Sequence, residues 1–373
     1  MLTEKKRNVG LDLMRAIAIL FVLIHHWKHH LEHLIPRQIY LVHFFGFYGV
    51  EMFFVLSGFL IGNILIKHYL NDEFTFGVIK NFWMRRWFRT LPLYYVVLVF
   101  NIILVAAPFW KFWKYLFFVQ NFTYPTFNFF RESWSLCIEE WFYLSFPVFL
   151  YIINKLFKKK LTKPKILLIT IISYILLFTA IRSFIAIHKN PFWNGGIRAV
   201  MLYRLDSIAY GVLGAYCFNL YKTFFEKMRV KLFIIGISLF AISLIYFQNY
   251  IAYNYYFEKG DTPFFAKSLY FGVVSFSFLC LIPFLNQVNI KNTLVRNSVA
   301  FTSKVSYSAY LINLYFVFFL NDAMVDRTWS QVFLILFVFI ALTLLVSFFT
   351  YTYIEKPFLK LRDKIAKDKY TAI

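Results

Sequence analysis

Leu11-Asp12-Leu13-Met14-Arg15-Ala16-Ile17-Ala18-Ile19-Leu20-Phe21-Val22-Leu23-Ile24-His25-His26 opens the apolar part of this chain and decides its fold. A run this long and this apolar reads as a membrane-crossing helix. It carries Arg15 and, eleven positions later, His26. At about 100° per residue, eleven steps make just over three turns, so the two side chains share one face. They stand about 16 Å apart along the axis, at about 1.5 Å per residue. An arginine near a bilayer centre costs roughly 2.5–3.5 kcal/mol on the insertion scale, and a chain that keeps one there usually uses it. The helix therefore carries a cation towards one side of the membrane and a titratable base towards the other, which suggests chemistry conducted across the bilayer. Lys5-Lys6-Arg7, just ahead of the run, resembles the basic start of a secretory signal. Asp12 and Arg15 interrupt the run and no clean small-residue cleavage site follows, so the segment is expected to stay as the first span.

The rest of the composition agrees with a membrane protein. The chain has 373 residues, of which 60% are hydrophobic and 23% aromatic, more apolar surface than a soluble protein of this size can hide. Fifty Phe and 26 Tyr fit a lipid-facing bundle with interfacial aromatics. The net charge of +22 is spread in short runs between apolar segments, as topology signals are. A nucleic-acid protein would gather it on one face or tail, so nucleic acid is not an expected partner. Cys137, Cys217 and Cys280 are scattered through apolar segments without metal or redox spacing and read as buried thiols.

Apolar runs near the spanning length occupy residues 11–30, 49–66, 91–108, 133–153, 165–187, 201–221, 232–247, 268–285, 305–320 and 332–353. Residues 111–118 are too few to span and read as an interfacial helix. If the N-terminus is cytoplasmic, the cytoplasmic segments hold about 27 of the 40 Lys and Arg and the outside loops about 10. The expected fold class is thus an all-α integral membrane protein, a bundle of about ten transmembrane helices with both termini cytoplasmic. No internal repeat or Gly/Ser/Pro-rich linker divides it, so residues 1–373 are expected to form one domain.

Depth along these spans groups the costly polar residues. His26, sixteen residues past Gly10, sits about 24 Å into a core about 30 Å thick. Glu51, Glu139, Arg204 and Asp206 fall in the same outer layer on three other helices. Intramembrane ionisable groups normally face the bundle interior and pair, so this layer is either a catalytic pocket around a His base or an ion-pair network locking helices together. On the opposite side stand Arg15 and Arg85-Arg86-Trp87-Phe88-Arg89, in which Arg85 and Arg89 share a helical face. Guanidinium forks suit phosphates, although positive-inside decoration gives the same composition.

Two other patterns weigh less. His25, His26, His29, His30 and His33 have metal-like spacing, but Lys28 lies among them and no Cys or carboxylate cluster completes a site, so no metal is expected. Ser57-Gly58 lacks the nucleophile-elbow pattern and strand context; a small pair of this kind more often lets helices approach closely.

Taken in order, these segments resemble the membrane-bound acyltransferase 3 family, bacterial O-acyltransferases of surface glycans. Arg15 and His26 match its Arg, ten residues, His pattern. Gly49-Val50-Glu51-Met52-Phe53-Phe54-Val55-Leu56-Ser57-Gly58-Phe59-Leu60 matches its second-helix signature, and Arg85-Arg86 through Pro92 its basic motif. Ser133-Trp134-Ser135-Leu136-Cys137-Ile138-Glu139 matches its Trp-Ser-Leu-x-x-Glu motif. Arg204-Leu205-Asp206, Ser306-Tyr307 and Tyr353-Ile354-Glu355-Lys356-Pro357-Phe358 match later ones. Asn313 departs from the pattern, since many relatives carry His there. The esterase-like domain fused to some relatives is also not expected here, so the acyl group would pass to its acceptor directly or through a separate protein.

The resemblance implies transfer of an acyl group, acetyl before others, from cytoplasmic acetyl-CoA to a hydroxyl of a cell-surface or lipid-linked glycan. The site implied is in a multi-pass protein of the bacterial cytoplasmic membrane. His26, Glu139 and Arg15 are the expected catalytic residues, with Glu139 orienting His26 and Arg204 stabilising developing negative charge. Arg85, Arg86 and Arg89 are expected to bind the donor. Asp12, His25, Glu51, Ser57, Trp134, Ser135, Arg204 and Asp206 are expected supporting or acceptor-side residues. Membrane lipid and a glycan acceptor are the expected partners, with a second copy of the chain an open option. The competing class is a proton-coupled transporter, in which the same His, Glu and Arg residues would form a relay.

Overall fold

The computed structural model describes residues 8–28, 42–105, 108–124, 129–252, 262–321 and 328–366. Lys5, Lys6 and Arg7, and His29, His30 and His33, lie outside the described residues. Among the described residues all regular structure is helical, and each expected apolar run has a helix along most of its described residues. In order these are α1 (Val9–Trp27), α2 (His43–Asn71), α3 (Phe76–Val105), α4 (Ser133–Phe157) and α5 (Lys163–Lys189). Next come α6 (Leu205–Leu220), α7 (Arg229–Tyr246), α8 (Tyr270–Leu285), α9 (Thr293–Asn321) and α10 (Trp329–Thr350). A π-helical turn, Tyr351–Glu355, joins α10 to the amphipathic α11 (Lys356–Ile365). The expected interfacial run at 111–118 begins in a 3-10 turn, Phe109–Phe112, and continues in a single α-turn, Trp113–Leu116, with Phe117 exposed and Tyr115 buried.

Seven helices among the described residues are long and apolar enough to cross a membrane. The expected count of ten exceeds this for physical reasons. Helices α6 and α8 have 16 residues each, about 24 Å of rise at about 1.5 Å per residue. Helix α9 spans 29 residues but carries Arg296 and Lys304 in its first half.

The bundle is apolar outside as well as inside. Ile103 and Leu104 of α3, Leu176 of α5, Ile242 and Ile245 of α7 and Phe337 of α10 are all exposed, as lipid-facing positions must be. Helix α2 is the most enclosed span, packed along α6 and α1. Its contact with α6 depends on glycine: a Cβ on Gly58 or on Gly211 would overlap the backbone of the other helix. Small residues at a crossing let two backbones approach, which is the main source of packing energy once lipid replaces water.

Helix α1 runs between α2 and α9. Its start is fixed by Asn8, whose side chain accepts from the Leu11 amide at 3.1 Å and donates to the Asn286 carbonyl at 2.9 Å, at the end of α8. Each end of α1 opens on a different cavity, and these two cavities hold the chemistry.

Candidate active site

The larger cavity, about 550 Å³, lies at the N-terminal end of α1. Its lining includes Arg15, Arg85, Arg86, Arg89, Lys304 and Arg362, so six cations from four helices share one space. Asp12, Glu139, Glu355 and Asp363 are the carboxylates in the same lining. The structure thus brings Arg15 and the basic motif of α3, both expected on one side of the bundle, into one lining.

Neighbours hold the cations in distinct ways. Arg15 donates to Ser303 Oγ at 3.4 Å and lies 3.9 Å from Asp12, while Ser303 donates to Asp12 at 2.6 Å. Arg85 is buried, donates to the Ala366 carbonyl and lies 3.7 Å from Asp363, so it clamps the C-terminal end of α11. Arg86 stacks over Phe82 at 5.7 Å. Arg89, three residues further along, is exposed to the cavity. Glu139 accepts from the Tyr143 hydroxyl at 3.2 Å, and that hydroxyl pairs with Ser57 Oγ at 2.6 Å. Ser57 thus lines the basic cavity as the partner of a tyrosine, one residue before the Gly58 crossing.

The second cavity, about 220 Å³, lies at the other end of α1. His25 and His26 line it with Arg131, Glu132, Trp134, Asn194, Arg198 and Tyr310. Asn194 and Arg198 come from a π-helical segment, Trp193–Arg198, a geometry that recurs at functional sites because it re-aims side chains. The Arg198 guanidinium lies 4.4 Å over the Trp134 ring and donates from Nε to Asn194 Oδ1 at 2.8 Å. His26 Nδ1 is hydrogen-bonded to Asn313 Oδ1 of α9.

Glu132, just ahead of α4, is buried in this lining, and burial pushes its carboxyl up to about 8 against the smaller opposing effects of a backbone hydrogen bond and Arg131. A carboxyl whose folded value lies above its unfolded one contributes stability that is complete below about 4.5 and is lost as pH rises towards 8. Glu132→Gln is expected to remove this dependence. Thermal unfolding in detergent should show wild type losing stability between pH 5 and 8, by up to about 1.4 kcal/mol per pH unit, with a flatter curve for the variant. Parallel curves would refute the assignment.

Val50 and Tyr310 line both cavities and so form the wall between them. The Tyr310 hydroxyl pairs with Ser135 Oγ at 2.6 Å and donates to the Glu132 carbonyl at 3.1 Å. Trp134 and Ser135, adjacent in sequence, thereby face different cavities.

The outer polar layer expected from depth is divided among three places. His26 and Glu139 line different cavities, so the structure does not bring Glu139 to the imidazole; Asn313 stands there. Arg204 and Glu51 form a fully buried ion pair, with Arg204 also donating to Ser207 Oγ at 2.9 Å and lying 3.9 Å over Phe271. Asp206 is gripped through both oxygens by Arg182, each contact 2.7 Å. Arg182 also donates to the Ser268 carbonyl at 2.8 Å. These four charges line neither cavity. Charged groups this deep persist when paired and hydrogen-bonded on several sides, which is a helix-locking arrangement. Arg204 still reaches the site indirectly: it donates to the Arg198 carbonyl at 3.2 Å.

Residues that sequence reading passed over are Lys304, Arg362, Tyr143, Tyr310, Glu132, Asn194 and Arg198. Lys304 and Arg362 were visible only as topology charges. Arg198 and Asn194 come from a loop whose π-turn has no sequence period.

The geometry defines a helical membrane protein with a cation-lined cavity and a histidine-lined cavity sharing one wall. A family model described as "Acyltransferase domain", the acyltransferase 3 family, matches residues 8–352. The chain belongs to that family. It is 28% identical over 382 residues to "Putative O-acetyltransferase SACOL0978" of Staphylococcus aureus (strain COL), covering 96% of this chain and 58% of the relative. It is 30% identical over 383 residues to "O-acetyltransferase OatA" of Staphylococcus aureus (strain NCTC 8325 / PS 47), covering 94% of this chain and 57% of the relative. The chain thus spans little more than half the length of these curated relatives. No solved structure matches it significantly.

Proposed function

We propose that the protein is a membrane O-acyltransferase that moves an acyl group, acetyl first, from cytoplasmic acyl-CoA to a hydroxyl of a glycan on the far side of a bacterial cytoplasmic membrane. The observation that carries this reading is the shared wall. A cavity lined by six cations, suited to a phosphate-rich donor, meets at Val50 and Tyr310 a cavity that contains a histidine base. Family membership favours acyl transfer over the proton-coupled transporter. The names of the O-acetyltransferase relatives support oxygen as the receiving atom.

In the proposed mechanism the donor phosphates bind Arg86 and Arg89, with Lys304 and Arg362 nearby, and the pantetheine arm runs past Arg15 towards Tyr310. His26 Nε2 removes the proton of the acceptor hydroxyl as its oxygen attacks the thioester carbon. The carbon–sulfur bond breaks, an ester forms, and the proton leaves with the CoA thiol. Where the carbonyl oxygen gains charge at the wall, Ser135 Oγ–H is the hydroxyl that turns towards it, because Tyr310 donates its one proton to the Glu132 carbonyl and the ion-paired Arg204 is not free to take the role.

Sealed membrane vesicles holding the protein test the reading. Radiolabelled acetyl-CoA presented at the cytoplasmic face should label external glycan at base-labile ester positions. Vesicles in which no label reaches glycan would overturn the proposal.

A further inference from the structure

Resting on His26 as the base, we infer that Asn313 is its positioning residue: it fixes the imidazole with the proton on Nδ1 and the lone pair on Nε2.

The argument starts with the amide. Asn313 is fully buried on α9. Its Nδ2 donates to the Ala309 carbonyl at 2.9 Å and the Tyr310 carbonyl at 2.7 Å. An asparagine amide has two N–H donors, and both are engaged. Turning the amide over would set Oδ1 against two carbonyl oxygens, so this network assigns which atom points where. Oδ1 therefore faces His26 Nδ1, and it can only accept. A ring nitrogen held against an acceptor must carry hydrogen. In the neutral ring Nε2 is then the basic atom.

The choice of amide has a further consequence. A carboxylate facing Nδ1–H would stabilise imidazolium and hold the base protonated to higher pH. A neutral amide orients the ring and selects its tautomer without adding charge. It does so among several charged or titratable groups: the His25 ring lies 5.4 Å from that of His26, and Arg131, Glu132 and Arg198 line the same cavity. Helix α9 also delivers Tyr310, one turn before Asn313, so the residue that holds the base and the residue that forms the wall are anchored together.

Two measurements test the inference. In ¹⁵N spectra of histidine-labelled protein, the signal missing from His26→Ala should show a protonated Nδ1 and an unprotonated Nε2, and Asn313→Leu should give mixed tautomers. In transfer assays, Asn313→Leu should lower kcat by about 10- to 100-fold, by analogy with the loss of partners that orient metal-bound histidines, with the KM for acyl-CoA unchanged. Asn313→Asp should move the acid limb of the kcat profile to higher pH. A wild-type ring protonated on Nε2, or an Asn313→Asp profile that coincides with wild type, would overturn the inference. If Asn313→Leu fails to fold, the wild-type spectrum and the aspartate variant still decide it. If His26→Ala transfers as well as wild type, the base assignment fails instead, and the spectrum still reports on the pair.

Discussion

His26→Ala is expected to lower the rate of acyl transfer by about 10²- to 10⁴-fold, the usual contribution of a positioned general base. The KM for acyl-CoA should stay close to the wild-type value, because His26 lines the small cavity and none of the cation-lined one. This split separates catalysis from donor binding: an interaction used only in the transition state lowers kcat and kcat/KM together. Initial rates over a range of acyl-CoA concentrations in vesicles measure it. His25→Ala is the matched control. His25 lines the same cavity, but its ring packs against Gly46, where an added Cβ would overlap it. Its loss should cost packing and leave most of the rate. A His26→Ala enzyme with wild-type kcat, or with a raised KM alone, would remove His26 from the proton-transfer step.

Which apolar run carries each polar residue was readable from sequence, and which cavity or partner it faces was not. Arg15 and His26 share one helix, so an eleven-residue spacing correctly put them at opposite ends, where they face different cavities. Glu139 and Glu51 sit on separate helices and Arg204 and Asp206 at the start of a third, and a depth expected from span counting says nothing of which neighbour each one faces. The structure turns Glu139 towards Tyr143 and pairs Arg204 with Glu51 and Asp206 with Arg182. Burial on several sides needs partners from α5, α8 and the 3-10 turn at Met201–Tyr203, and their meeting is set by packing. Helix positions were legible because a long apolar run has one stable form in lipid. The crossing count was less so, since α6 and α8 are short and α9 carries charge. Asn313 was visible only as a departure from a family pattern; its role needed the two carbonyls that fix its amide.

Replacing Arg86 and Arg89 together with alanine is expected to raise the KM for acyl-CoA by roughly 10- to 100-fold while changing kcat much less. A charge-assisted hydrogen bond from Arg86 to a phosphate contributes about 1.5 kcal/mol, and exposed Arg89 adds about 0.2–1 kcal/mol, which together correspond to roughly 20- to 70-fold. Both side chains enter the cation-lined cavity from α3, where a helical turn of guanidiniums faces Lys304 of α9 and Arg362 of α11. Arg85, from the same motif, should behave differently. Its contacts with the Ala366 carbonyl and Asp363 mean that Arg85→Ala primarily loosens α11, lowering thermal stability before it alters KM. The three variants therefore separate phosphate recognition from helix anchoring within one short stretch of sequence. Lysine at 86 and 89 should restore only part of the affinity, because an ammonium keeps the charge but not the planar fork. Raising salt should weaken donor binding in wild type more than in the double alanine variant, since fewer charge contacts remain to be screened. An unchanged KM in the Arg86→Ala, Arg89→Ala protein would mean that the cations of this cavity serve topology alone, and the donor site would have to lie elsewhere.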